Sequence, residues 1–169
     1  MLECREAATM TGNKKTLSSA VPATRPFKAE TGTVLAFDFG AKFTGVAVGE
    51  SQLGMAHPLG LITAEGKMAR MTEIAALVAE WKPSLFVVGL PLSMAGGEHE
   101  LTRRCRRFAR QLESRFNLPV RLVDERLSSA AAEEALRASG NGGRKHKLRA
   151  HQVSAQIILQ SYLDDPGPS

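Results

Sequence analysis

Residues 33–50 read TVLAFDFGAKFTGVAVGE. Two apolar runs of strand-like composition, VLAFDF and TGVAVG, are joined by a Gly-Ala-Lys-Phe connection, and this pattern predicts a β-hairpin. Alternation places Val34, Ala36 and Asp38 on one face of the first strand and Leu35, Phe37 and Phe39 on the other. A carboxylate inside an apolar strand is costly unless it is paired or binds a metal. Asp38 is therefore the first candidate for chemistry. The plainer alternative is an Asp that accepts backbone hydrogen bonds in the turn or faces water at the strand end.

Beyond the hairpin, a third strand is expected at Leu59–Thr63, after Pro58. Met71, Ile74, Leu77, Val78 and Trp81 recur at helical spacing, and Lys82-Pro83 ends that helix. LFVVGLP (85–91) is a continuous apolar run, as in a strand buried on both faces. A second helix carries Cys105, Phe108, Ala109, Leu112 and Phe116 on one stripe, and VRLV (120–123) forms the next strand. A short Ala-rich helix begins near Ser128 or Ser129, either of which suits an N-cap. GNGGRKHKLR (140–149) reads as a Gly-rich basic loop, followed by a last helix over about Ala150–Leu163. The order implies one α/β domain with a five-stranded mixed sheet, three antiparallel strands and then two parallel ones, flanked by helices. Residues 1–31, rich in Ser, Thr, Ala, Lys and Pro without periodicity, read as a disordered extension, and 165–169 as a frayed tail.

With 169 residues, 43% of them hydrophobic, the chain is large enough for one real core. No run approaches the roughly 20 apolar residues of a membrane span. MLECREAATM carries charges where a signal peptide needs an apolar stretch. Cys4 and Cys105 form no metal-type pair, and a cytoplasmic protein with a buried thiol at Cys105 is expected. Net charge is +5, and Arg103–Arg149 holds 13 Lys/Arg against five Asp/Glu. Such a block implies a polyanionic partner, most simply nucleic acid, with a solvated basic face as the plainer alternative. Aromatic residues are only 5% of the chain, so phosphate contacts would have to dominate over base stacking.

Sites in open α/β sheets gather beyond the carboxyl ends of strands. Asp38 lies near one such end, and Asp124-Glu125 near another. An extended chain points Asp124 and Glu125 to opposite faces, so only one of them should approach Asp38 unless a turn intervenes. His151, Ser154, Ala155, Ile158, Leu159 and Tyr162 share one face of the last helix, with His151 in its first turn. Converging carboxylates suit a divalent metal that binds substrate phosphate, and two such ions can cut a phosphodiester.

AFDFGAKFTGVAVG, VVGLPLSMAGGE, LVDERLSSAAA and SAQIILQSYL, in this order and spacing, resemble the YqgF family, also called RuvX. The resemblance covers about residues 32–164. It implies a ribonuclease H-like domain, related to RuvC-type Holliday junction resolvases, that hydrolyses phosphodiesters with Mg²⁺ or Mn²⁺ in 5′-end maturation of pre-16S rRNA. Asp38 matches the family's first acid, Asp124, Glu125 and Arg126 its Asp-Glu-Arg motif, Gly89, Leu90 and Pro91 its Gly-Leu-Pro motif, and Glu98 an acid in the loop after it. The catalytic set is then Asp38, Asp124, Glu125 and His151, with Asp38, Glu125 and His151 on the metal. Lys42, Arg103, Arg104, Arg107, Arg126, Arg144, Lys145 and Lys147 are the candidate contacts to nucleic acid, whether pre-16S rRNA, branched DNA or a ribosomal particle. The chain would act as a monomer or homodimer, away from membranes.

Three positions depart from the family pattern. His151 stands where the last helix usually begins with Asp, Phe43 where many members have Arg, and Ala95-Gly96 where an Asp-Gly pair is common. These changes favour a rival reading, an RNA-, ribosome- or junction-binding module with little catalysis, whereas the intact Asp38 and Asp-Glu-Arg motif favour the enzyme. Actin-like ATPases and sugar kinases share the Asp-x-Gly hairpin but need a second such domain. The Gly-rich loop and catalytic segments of protein kinases are missing, and GNGGRKHK lacks the Gly-Lys-Ser/Thr ending of a Walker A loop.

Overall fold

A computed structural model of the chain describes residues 31–92, 98–125 and 144–166, and of 144–147 the backbone alone. Along the chain run β1 (Thr33–Phe39), β2 (Thr44–Glu50), β3 (Met55–Ile62), α1 (Lys67–Trp81), β4 (Leu85–Leu90), α2 (Glu100–Phe116), β5 (Val120–Asp124) and α3 (Arg144–Asp164). The strands form one sheet in the order β3-β2-β1-β4-β5. The pairs β1–β2 and β2–β3 are antiparallel, and β1–β4 and β4–β5 are parallel. This is the mixed five-stranded sheet expected from the residue pattern.

Alternation in β1 divides the core in two. Leu35, Phe37 and Phe39 join Phe86, Phe108 and Leu112 on the face covered by α1 and α2. Val34 and Ala36 join Ala47, Ala56, Ala155, Ile158 and Leu159 on the face covered by α3. The first face is aromatic: Phe39 stacks on Phe108 with centroids 4.7 Å apart, and Phe37 meets Phe86 edge-on at 5.7 Å. The second includes Ala36, Ala47, Ala56 and Ala155, small residues that let α3 lie close to the strands. Full burial of Ile158 and Leu159 there contributes about 1.5–3 kcal/mol each.

Two elements differ from the sequence expectation. β3 begins at Met55 rather than Leu59 and runs through Pro58. It is an edge strand, where a missing N–H does not break a ladder. Val46 faces Gly60 while Ala47 faces Pro58, so Leu59 is a bulged extra residue. Gln156 and Gln160 of α3 hold this edge: Gln156 donates to Ala56 O at 2.9 Å, and Gln160 donates to Gly54 O at 2.9 Å and accepts from Ala56 N–H at 3.1 Å.

α3 begins at Arg144 rather than near Ala150. Arg, Lys and Leu are good helix formers, and the stretch after Gly143 has no breaker. Arg144, Lys145 and Lys147, expected in a loop, therefore belong to a helix. Arg126, the Ala-rich helix expected near Ser128 or Ser129, Ala95-Gly96 and residues 1–30 of the expected extension lie outside the described residues.

Candidate active site at the ends of β1 and β5

Asp38 lies on the α3 face of β1, next to its C-terminal end. In the sheet it pairs with Gly45 of β2. On the other side the register with β4 runs to Phe37–Val88, and the next step sets Asp38 beside Gly89. Asp38 is thus flanked across the sheet by two residues without side chains. Each vacancy is used. A Cβ on Gly45 would overlap the backbone carbonyl of His151, and a Cβ on Gly89 would overlap the Glu125 carboxylate and Ile158 Cδ1. The glycines let α3 approach from one side and Glu125 reach over β4 from the other.

His151 Nδ1 donates to Asp38 Oδ2 at 2.7 Å. This bond raises the histidine above its ordinary range, with burial opposing and the charges of Asp38 and Glu125 adding to the rise. The bond holds the imidazole ring against the Asp38 carboxyl. Because α3 begins at Arg144, His151 lies in its interior, not in the first turn as the sequence suggested. The turn Gly40–Phe43, closed by Gly40 N–H donating to Phe43 O at 2.9 Å, places the Phe43 ring 6.2 Å from the His151 ring.

Asp124 and Glu125 point apart, as an extended chain requires. Asp124 ends β5 exposed, whereas Glu125 is only 7% exposed, its N–H donating to Leu90 O at 3.2 Å. Burial first, and Asp38 next, push the Glu125 carboxyl up to about 8, with His151 pulling against them and Asp124 adding to the rise. Cys105 beneath is pushed up to about 12 by burial and by Glu125 and Asp38. Its thiol stays protonated and takes no part as a nucleophile.

The family model for RuvX, a Holliday junction resolvase, matches residues 32–165. This chain belongs to the RuvX family. A relative from Methylobacillus flagellatus, named as a candidate pre-16S rRNA nuclease, is 58% identical over 82% of this chain and 95% of its own length. One of the same name from Thiobacillus denitrificans is 57% identical over 79% and 92%. Among solved structures, fowlpox virus resolvase in complex with Holliday junction DNA superposes with a TM-score of 0.50 at 8% identity, covering 78% of this chain and 97% of its own. That likeness concerns the fold.

The RuvX chain brings Asp38, Glu125 and His151 to one place but does not arrange them as expected for three metal ligands. Among the described residues, no three His, Cys, Asp or Glu side chains are grouped to hold one ion. The physical reason is the closure of His151 on Asp38, which commits one carboxylate oxygen to the imidazole. Asp38 and the buried Glu125, whose proton affinity Asp38 helps to raise, still suit a hard divalent cation, which can be held by one or two carboxylates and completed by water and substrate phosphate. Replacing His151 by Asp sets two acids face to face. The metal-free protein is expected to lose about 1–3 kcal/mol, and the rise in Tm on adding Mg²⁺ to exceed that of wild type. Thermal denaturation with and without Mg²⁺ checks both, and an unchanged Mg²⁺ response would place His151 outside the ion's surroundings.

Of the candidate basic contacts, Lys42 is exposed on the β1–β2 turn, and Arg103, Arg104 and Arg107 are exposed on α2. Glu98 is paired with Arg106 at 2.8 Å. Sequence reasoning passed over Arg70, which is 8% exposed and donates Nη2–H to Ala41 O at 3.2 Å. The available signal was its place four residues before Ile74, on the apolar stripe of α1.

Proposed function

We propose that this chain is a nuclease that hydrolyses phosphodiester bonds with a divalent metal, acting in the cytoplasm on the 5′ extension of pre-16S rRNA. The observation that carries the reading is the convergence of Asp38 and buried Glu125 between two glycines. Such a cluster is costly to assemble and contributes nothing to packing. Asp38 and Glu125 would hold Mg²⁺ or Mn²⁺, which when bound activates water and stabilises the leaving oxygen. The Glu125 carboxyl, pushed up to about 8 by burial and Asp38, must give up its proton to ligate the cation, so metal binding is expected to strengthen as pH rises. His151 orients Asp38 through its hydrogen bond. The two strand glycines make room for α3 at His151 and for the Glu125 carboxyl.

The relatives' names favour rRNA, and the fowlpox virus complex makes branched DNA the alternative substrate. The test is cleavage of a 5′-extended 16S rRNA precursor and of a four-way DNA junction, with Mg²⁺ or Mn²⁺. Replacing Asp38 by Asn is expected to reduce cleavage at least about 100-fold. Tight, salt-sensitive binding without cutting, unchanged by that substitution, would instead favour a binding module, the reading to which the His151–Asp38 closure lends support.

A further inference from the structure

We propose that a basic pocket between α1 and α2 holds a backbone phosphate of the same nucleic-acid strand that reaches Asp38 and Glu125, an inference that rests on the nuclease reading. The pocket encloses about 400 Å³, with Lys67, Arg70, Arg104 and Arg107 among its lining residues and Phe39 and Phe108 as its apolar part. None of its described lining residues is acidic. Among the described residues, no carboxylate pairs with Arg70, Arg104 or Arg107.

Three observations point to an anion. First, the N-terminus of α1 opens at this pocket through Gly66 and Lys67, and it has neither a side-chain cap nor an acid in its first turn. That turn instead carries Lys67 and Arg70, cations at the positive end of the helix dipole, an arrangement that an anion relieves. Second, Arg70 is more than nine-tenths buried and its Nε has no hydrogen-bond partner. A guanidinium brought out of water with an idle donor calls for an acceptor. Third, Arg70 and Arg104 both lie over the Phe39 ring, at 4.9 and 5.9 Å from its centroid. Burial and the Arg104 charge lower the proton affinity of Arg70, so the like charges are held together at a cost.

The position of the pocket favours a nucleic-acid strand over a free ion. Arg70 donates to Ala41 O in the Gly40–Phe43 turn, while Phe43 of that turn lies by His151. One turn therefore separates the pocket from the acid cluster, and Cys105 feels Asp38, Glu125 and Arg104 together. A strand whose scissile phosphate sits at the acids can cross this turn and place another phosphate among the arginines, which favour forked contacts to phosphate oxygens.

The test uses the full chain carrying Asp38→Asn, without metal, so that binding is read apart from cleavage. Anisotropy of labelled single-stranded RNA from the precursor's 5′ extension is followed over a KCl series, and Tm is followed with inorganic phosphate. Adding Arg104→Gln with Arg107→Gln is expected to weaken RNA binding at least about tenfold near 0.1 M salt. It should lower the slope of log K against log salt by about 0.7 per lost contact and abolish the rise in Tm caused by phosphate. The charge-matched pair Arg110→Gln with Arg115→Gln, on α2 outside the pocket, should change the slope less. Equal losses from both pairs would reduce the effect to net charge and overturn the proposal. A phosphate response lost in the pocket variant, with RNA affinity and slope unchanged, would assign the pocket to free anions and overturn it too. If wild type fails to cut yet the pocket variant loses binding as expected, the nuclease reading fails and the phosphate pocket stands.

Discussion

Replacing Gly45 by Ala is expected to cost about 3 kcal/mol of folding stability, the upper part of the range for overpacked cores. The added methyl would overlap the backbone carbonyl of His151. A side-chain tip can swing away, but this atom belongs to a helix whose Ala155, Ile158 and Leu159 are fully buried on the same face. α3 must therefore shift as a body, or β2 must bend. Either movement also draws His151 away from Asp38, so metal-free titration of the histidine should return toward its ordinary range. Gly60→Ala is the control. It lies in the neighbouring strand, where an added methyl would have nothing within 4 Å, and is expected to change stability by no more than about 1 kcal/mol, in the stabilising direction. Urea unfolding of both variants checks the pair, and a Gly45→Ala protein as stable as wild type would remove the close approach of α3 from the account.

Residues 33–50 carried most of the fold because every signal in them is local. Alternation and the turn, like the apolar run at 85–91, are set by neighbours in sequence, and together they imply three antiparallel strands followed by two parallel ones. The errors fall where distant partners decide. Pro58 argues against a strand until β3 is known to be an edge with Leu59 bulged out. The residues after Gly143 look like a basic loop because their charge is conspicuous, although their helix propensity is good.

The site was legible in part for the same reason. Asp38 stands out as a charge in an apolar strand, and alternation separates Asp124 from Glu125. That Gly45 and Gly89 clear space on either side of Asp38 is invisible locally, since the atoms they make room for lie more than 30 residues away in each case. Arg70 is the converse. Its spacing was readable, but a single Arg on an apolar stripe is ordinarily a side chain that snorkels to water. Only the folded chain shows it buried over the Phe39 ring, with Arg104 close by.

Replacing Glu125 by Gln is expected to stabilise the metal-free protein above pH 8 while sharply reducing cleavage. The charges acting on this carboxyl are Asp38 on β1, His151 on α3 and the adjacent, outward-pointing Asp124 of β5, with the Cys105 thiol of α2 also within their field. Burial and Asp38 raise it to about 8 from an ordinary 4.5. Below about pH 4.5 the folded and unfolded chains both carry the proton. Between 4.5 and 8 only the folded chain keeps it, so stability falls as pH rises, at about 1.4 kcal/mol per unit. Above 8 the loss is complete. His151 acts in the same direction: with its folded value raised, its contribution is present below 6.5 and is lost as pH climbs through that raised value. Metal-free wild type should therefore melt at a higher temperature at pH 6 than at pH 8.5. Gln keeps the shape of the side chain and removes the charge. At pH 8.5 the variant should exceed wild type by roughly 2–4 kcal/mol, and near pH 5 the two should nearly coincide. Added Mg²⁺ should narrow the gap at high pH by stabilising wild type alone, because a ligand that binds only the folded state raises its stability. Urea unfolding in EDTA at the two pH values decides the matter. A variant destabilised equally at both would make Glu125 a structural hydrogen-bonding partner and not an acid held against its own charge, and the case for a cation between Asp38 and Glu125 would go with it.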